Sequence, residues 1–510
     1  MKLTQPLFPV SLLAFAIAAQ AGASVSVDEQ KAVSEYLNRF YQNTQEVMNE
    51  VPAKYNLDGE KIEPTSVFTK EQIESNDFVL EKDAVRKDII TQTSKTKKGD
   101  KKPAPIKYND NPARLVDGGN QLIKNIHTMD AKKLRSAKLA EQPWSDTYWP
   151  LYKGALGDRY GDPGLGYQNN WYDYWTYANQ TNPPQNYVNN GNIDALSPSE
   201  KYDLLVGDSN YTLTKSMWDM GKGYFDNNGS VERWMGLCHG WAAAAYMLPR
   251  PKDTVTVKSA DGVDIKFYPS DIKALGTLLW AEASPRTRFI GGRCNTKNPD
   301  QDENGRVKDQ QCFDNNPGSW HQSVVNQIGV SKRSFILDAT YDYQVWNQPV
   351  YQYSYTYFNP ETKKAFNNAK DAMIKLADFS RDKFKSYRGN ATYVVGVQMS
   401  ITYMVETSAT HRATDAARYD GKTQVRYTYD LELDAQGNIV GGEWYNNRHP
   451  DFLWTPGPDG RAMSMYNPGG TWQKGQPIPN EWKAYANYVS RYDQPLTSIV
   501  EQLFNWSAGQ

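Results

Sequence analysis

From Asp28 onward, Val33, Tyr36, Leu37, Phe40, Tyr41, Val47 and Met48 recur at the three- and four-residue spacing of one amphipathic helix, which Pro52 should end. Further on, Ser197-Pro198-Ser199-Glu200 is a capping box with proline at the first helical position, so a helix is expected through Tyr202, Leu204 and Leu205. A third helix is expected to start at or near Cys238: Ala242 to Ala245 are strong helix formers and Pro249 stops them. Residues 254–257 and 263–267 alternate around Asp261-Gly262, the signal of a hairpin. Ser270 then caps a helix whose inner face carries Ile272, Leu275, Leu278, Leu279 and Trp280, with Pro285 beyond it. Residues 320–328 and 333–340 read as two β-rich runs around a turn at 329–332, and 424–433 with 439–444 as another hairpin. Residues 496–506 form a closing amphipathic helix. Helices followed by antiparallel hairpins make an α+β fold.

Composition narrows this. The chain has 510 residues, 39% of them hydrophobic, enough for two or three domains. Its formal net charge is -1, and without a dominant basic footprint no nucleic-acid partner is expected. Met1-Lys2, an apolar run over 7–19 and the small-x-small triplet Ala19-Gln20-Ala21 read as a secretory signal cut after Ala21. No later stretch is long and apolar enough for a span, so a secreted or periplasmic protein without a membrane anchor is expected. Five of the eight residues from Lys95 to Lys102 are lysine, which reads as a solvated, protease-accessible linker. The domains expected are therefore a signal over 1–21, a helical and polar region over 22–140 that could act as an inhibitory or chaperoning pro-segment, and a main domain over 141–510. Residues 144–188 hold twelve Trp or Tyr, read as packing around a core, with a ligand groove as the alternative.

The candidate chemistry centres on Cys238. At a helix N-terminus, unpaired backbone N–H groups and the positive end of the dipole favour thiolate over thiol and can also hold a developing oxyanion. In a hairpin turning at 329–332, His321 and Asp338 would share one face, close enough for the carboxylate to orient the imidazole. His449 and Asp451 are rival partners, while His411 and His127 lack comparable settings. Export and an odd count of three cysteines predict a Cys294–Cys312 disulfide with Cys238 left free. Residues 300–305 begin with the oxygen-ligand spacing of a calcium loop, but Gln311 stands where the bidentate carboxylate should be, so a polar turn is expected there and calcium is the alternative. No cofactor is required for the chemistry.

The order Cys238, His321, Asp338 is that of transglutaminase-like and papain-like thiol enzymes. The run Tyr341-Asp342-Tyr343-Gln344-Val345-Trp346-Asn347-Gln348-Pro349-Val350 resembles the signature peptide of the transglutaminase elicitors, oomycete cell-wall transglutaminases with relatives in marine bacteria. Residues 143–153, 196–208, 289–312 and 441–454 share the resemblance, which spans about 140–460. It implies a transglutaminase-like, papain-like core in which a helix bears Cys238 and an antiparallel hairpin bears His321 and Asp338. It also implies a secreted protein-glutamine γ-glutamyltransferase that joins glutamine to lysine or other amines through a cysteine thioester, with proteins exposing Gln and Lys as substrates. A thiol protease or glutamine deamidase with the same triad is the first alternative, and a non-catalytic surface-binding protein the second.

Overall fold

The computed structural model describes residues 25–56, 61–62, 110–259, 261–292, 299–308, 315–339 and 346–510. The expected signal, the lysine-rich linker and both cysteines of the expected disulfide lie outside these residues.

The first helical stretch is two helices, α1 (Val27–Gln42) and α2 (Thr44–Asn49), broken at Asn43. Ser26 and Glu29 form a reciprocal capping box at its start. Val33, Leu37, Phe40, Val47 and Met48 are buried as expected, against Phe358, Phe384 and Tyr445, in a small core of their own. Complete burial is worth about 1.5–3 kcal/mol for each such side chain, so this arm is firmly held. A short strand, β1 (Lys54–Tyr55), then joins the main sheet.

The expected capping box at Ser197 starts α3 (Pro198–Val206), which Gly207 ends in the left-handed conformation. The cysteine helix is α4 (Cys238–Met247). After it come the hairpin strands β2 (Val255–Lys258) and β3 (Asp264–Phe267), paired Val255 to Phe267, and then α5 (Pro269–Glu282). Gly240 lets α4 and α5 touch: a Cβ there would stand 2.2 Å from the Thr277 carbonyl oxygen. Trp144, Trp149, Trp171 and Tyr174 from the aromatic segment are buried in the main core, so packing is its principal use.

The 320–340 region departs from expectation. Residues 320–328 are not a strand; they belong to α6 (Pro317–Val324), which continues as a wider π-type turn over Val325–Val330. Asn316 accepts the Gly318 N–H at 2.8 Å and Pro317 takes the first helical position, a start signal that outweighs the β-branched Val324, Val325 and Ile328. Because this helix is buried on every side, no helical period shows in its sequence. The second half of the expected hairpin does contain a strand, β5 (Ile336–Asp338), with other partners.

That strand lies inside a 12-stranded sheet in which every strand pair is antiparallel. Besides β5, its main strands are β4 (Thr287–Gly291), β6 (Asn347–Phe358), β7 (Tyr393–Val405), β8 (Gly421–Leu433), β9 (Ile439–Trp444) and β10 (Phe452–Pro456). Across the sheet the order runs β1-β8-β7-β6-β5-β10-β4, and β9 pairs with β8 as the expected second hairpin. The closing helix is α7 (Thr497–Ala508), packed on α5. The fold is thus a mixed one of helices on a large antiparallel sheet. No helix among the described residues is long and apolar enough to cross a membrane.

Candidate functional site

Cys238 is the first residue of α4 and is 2% exposed. The approach to it is tightly fixed: the Leu237 N–H donates to the Tyr148 carbonyl at 2.7 Å, and a Cβ on Gly236 would lie 2.5 Å from that same oxygen. Only glycine lets the chain pass so close beneath the thiol. The N–H groups of the first helical turn, which have no acceptor within a helix, open toward the same end.

The thiol meets the first residue of β6. Nδ2 of Asn347 donates to Cys238 Sγ at 3.6 Å, and Oδ1 of Asn347 accepts the Trp454 indole N–H at 2.8 Å. An indole nitrogen can only donate, so Trp454 fixes which end of the amide faces sulfur. Across the sheet Asn347 pairs with Asp338, whose Oδ1 accepts the Trp346 N–H at 3.1 Å. Asp338 therefore braces the backbone that delivers Asn347. On the other flank, Gln348 Nε2 donates to both carboxylate oxygens of Glu406, at 2.9 and 3.0 Å. Burial pushes the Glu406 carboxyl up to about 7, with a smaller push from Cys238.

His321 is elsewhere. Carried by α6, its Nδ1 bonds to the Tyr429 hydroxyl at 2.9 Å, its ring meets Tyr355 edge-on at 4.8 Å, and its Nε2 has no hydrogen-bond partner among the described residues. The expected His321–Asp338 hydrogen bond is thus not formed. Tyr355 lies eight residues along β6 from Asn347, about 26 Å of strand. Subtracting the reach of the side chains still leaves on the order of 10 Å between imidazole and thiol. Burial also lowers the His321 pKa to about 3, so the ring stays neutral. His321 is a core residue.

The other histidines are placed as follows. His449 stacks on Trp444 at 4.5 Å, His411 stacks on Tyr268 at 4.4 Å, and His127 lies beside Gly437. His239 follows Cys238 in the helix, about 100° around it, where Glu282 of α5 senses its charge. Among the described residues the thiol meets the Asn347 amide and its charge reaches the Glu406 carboxyl, while Asp338 pairs with Asn347 across the sheet. Asn347 and Gln348 stood within the signature peptide, and Trp454 closed one of the resembling stretches; Glu406 had no signal in the sequence.

No group of three or more metal-ligating side chains assembles among the described residues. In the 300–305 turn, Asp302 Oδ1 accepts the backbone N–H groups of Asn304 and Arg306, both at 2.9 Å, as a polar turn does. Gln311 lies outside the described residues.

Among curated proteins none matches the chain. The crystal structure of the GP42 transglutaminase from Phytophthora sojae is similar in shape, with a TM-score of 0.46 and 22% identity over 74% of this chain and 92% of that one. The family model of the transglutaminase elicitors matches residues 119–469, more than half of the 510. By that match the chain belongs to the transglutaminase elicitor family.

Proposed function

We propose that the chain is a protein-glutamine γ-glutamyltransferase with Cys238 as its nucleophile. The observation that carries this reading is the thiol at the start of α4, facing an asparagine amide that Trp454 holds in one orientation. The helix N-terminus and the Asn347 Nδ2–H both bring hydrogen-bond donors to the sulfur. Sulfur attacks the carbonyl carbon of a glutamine side chain, the oxyanion rests on the first-turn N–H groups, and the C–N bond breaks. The proton leaving the thiol departs with ammonia, and a thioester remains. A primary amine then resolves it to an isopeptide bond, with water as the competing acceptor. Asp338 serves as a positioning residue through Trp346 and Asn347, and the reaction draws on no cofactor.

The protein is proposed to act outside the cytoplasm, on the strength of the signal-like residues 1–21. The region 22–140 remains our candidate for a restraining segment, resting on the lysine run at 95–102, which lies ahead of the start of the family match at residue 119. The test is incubation with a labelled primary amine and a glutamine-rich protein. Incorporation that vanishes in Cys238→Ala supports the proposal. Peptide-bond cleavage without incorporation would replace it with the protease reading, and the absence of both would leave a binding protein.

A further inference from the structure

Gln348 presents an unusual imbalance of hydrogen-bonding groups. It is 3% exposed, its Nε2 is spent on Glu406, and its Oε1 is buried without a partner among the described residues. Glu406 adds carboxylate oxygens with acceptor capacity to spare. Buried acceptors without donors are costly, so this corner suits a group that brings several N–H bonds and positive charge. A primary ammonium does both.

Its place relative to the thiol follows from the sheet. Tyr403 of β7 pairs with Val350 of β6, and β7 ends at Val405, so Glu406 leaves the sheet beside the start of β6, where Asn347 and Gln348 stand. Asn347 holds Cys238 on its amide and the next residue, Gln348, holds Glu406 on its own, and the charge of the sulfur reaches the Glu406 carboxyl. Tyr148, raised first by burial, senses the charges of both Glu406 and Cys238. Trp346 stands against that ring at 5.6 Å.

We propose that Glu406 and Gln348 form the acceptor subsite, which binds the ammonium of the incoming lysine or diamine and removes its proton. This rests on the transglutaminase reading and names which residues choose the second substrate. In the step, the carboxylate takes one proton from the ammonium and becomes a carboxylic acid. The freed nitrogen lone pair bonds to the thioester carbonyl carbon, and the C–S bond breaks as the oxyanion collapses. The second nitrogen proton goes to the leaving thiolate, which leaves an amide with one N–H, a Cys238 thiol and a protonated Glu406. A carboxyl raised by burial to about 7 exchanges such a proton readily near neutrality.

The test compares two acceptors on the full chain with a glutamine peptide as donor: a cationic alkyl diamine, and hydroxylamine, which is uncharged at neutral pH and nucleophilic without losing a proton. In Glu406→Gln the ratio of kcat/KM for diamine to that for hydroxylamine should fall at least thirtyfold, mostly through KM. Glu406→Asp should recover part of the ratio. An unchanged ratio, or equal losses with both acceptors, overturns the subsite. If the unmodified chain releases no ammonia from the peptide and forms no hydroxamate, the transglutaminase reading itself fails, and the subsite fails with it. Measurable hydroxamate formation by the variant also shows that it has folded.

Discussion

Asn347 reaches Cys238 Sγ with the amide end that Trp454 leaves free, so the orientation of one donor at the thiol is set by an indole on a strand two places away. Asn347→Ala should lower amine incorporation about ten- to a hundredfold, the worth of a hydrogen bond to a charged acceptor. It should also slow alkylation of the thiol, and the rate of that alkylation reads the second effect directly. Trp454→Phe keeps the amide but releases its orientation, and should cost about fivefold.

Asp338 separates two accounts of the site. If it braces the Trp346 N–H, then Asp338→Asn, which keeps an acceptor oxygen, should lose less than about tenfold in kcat, and Asp338→Ala should lose more. Were it instead the orienting carboxylate of an imidazole, Asp338→Asn would lose about four orders of magnitude, as triad enzymes do. Steady-state kinetics on the pair discriminates between them.

His321→Gln should retain amine incorporation per folded molecule while lowering Tm, since the side chain packs on Tyr355 and bonds to Tyr429 far from the thiol. It should also alter acid stability. The folded pKa of about 3 lies below the ordinary 6.5, so stability held above 6.5 is lost as pH falls from 6.5 toward 3. The loss is about 1.4 kcal/mol per pH unit in that window. Urea unfolding at pH 7 and pH 5 should show a shallower slope in His321→Gln than in the parent, the remainder coming from His449, which burial lowers to about 3 in the same way.

Gly240→Ala should destabilise the fold by about 1–3 kcal/mol or more, because the new methyl group meets the Thr277 carbonyl oxygen of α5 rather than a side chain that can swing aside. The urea midpoint measures it. The Cys238 environment should loosen too, since α4 carries the thiol on its first turn.

Limited trypsin digestion should cut the run from Lys95 to Lys102, and the fragment carrying α1 should stay bound, because Val33, Leu37 and Phe40 are buried against Phe358, Phe384 and Tyr445. Size exclusion under native conditions should show one species. Activity that rises only when denaturant strips the fragment away would support restraint by residues 22–140; unchanged activity would make the region a constitutive part of the fold.

Local rules carried the reading of the sequence where an element's limits are written in its own residues. The capping box at Ser197, the Asp261-Gly262 turn and the pairing of 424–433 with 439–444 all stand in the structure. So does the thiol at the head of its helix. Reasoning failed at 320–328, where burial on all sides erases the period that tells helix from strand, and Asn316-Pro317 was the overlooked start. The hairpin expected there would have set His321 and Asp338 on one face, and it does not form. The true neighbours of the thiol are joined by sheet register and by side chains from β6, β10 and the end of β7, and pairing between segments 50 to 110 residues apart leaves no trace in local spacing.

The arm formed by α1 and α2 has a kinetic meaning as well. Tyr36 donates to the carbonyl of Tyr445, 409 residues away, and Asn446 donates back to Val47 and Glu50. The arm is made early by the ribosome, yet the surface it completes is made more than three hundred residues later. Until then its apolar stripe has nowhere of its own to go, and closing so long a loop is slow relative to forming the helices themselves. Joining of the arm therefore waits on the last part of the chain to be made.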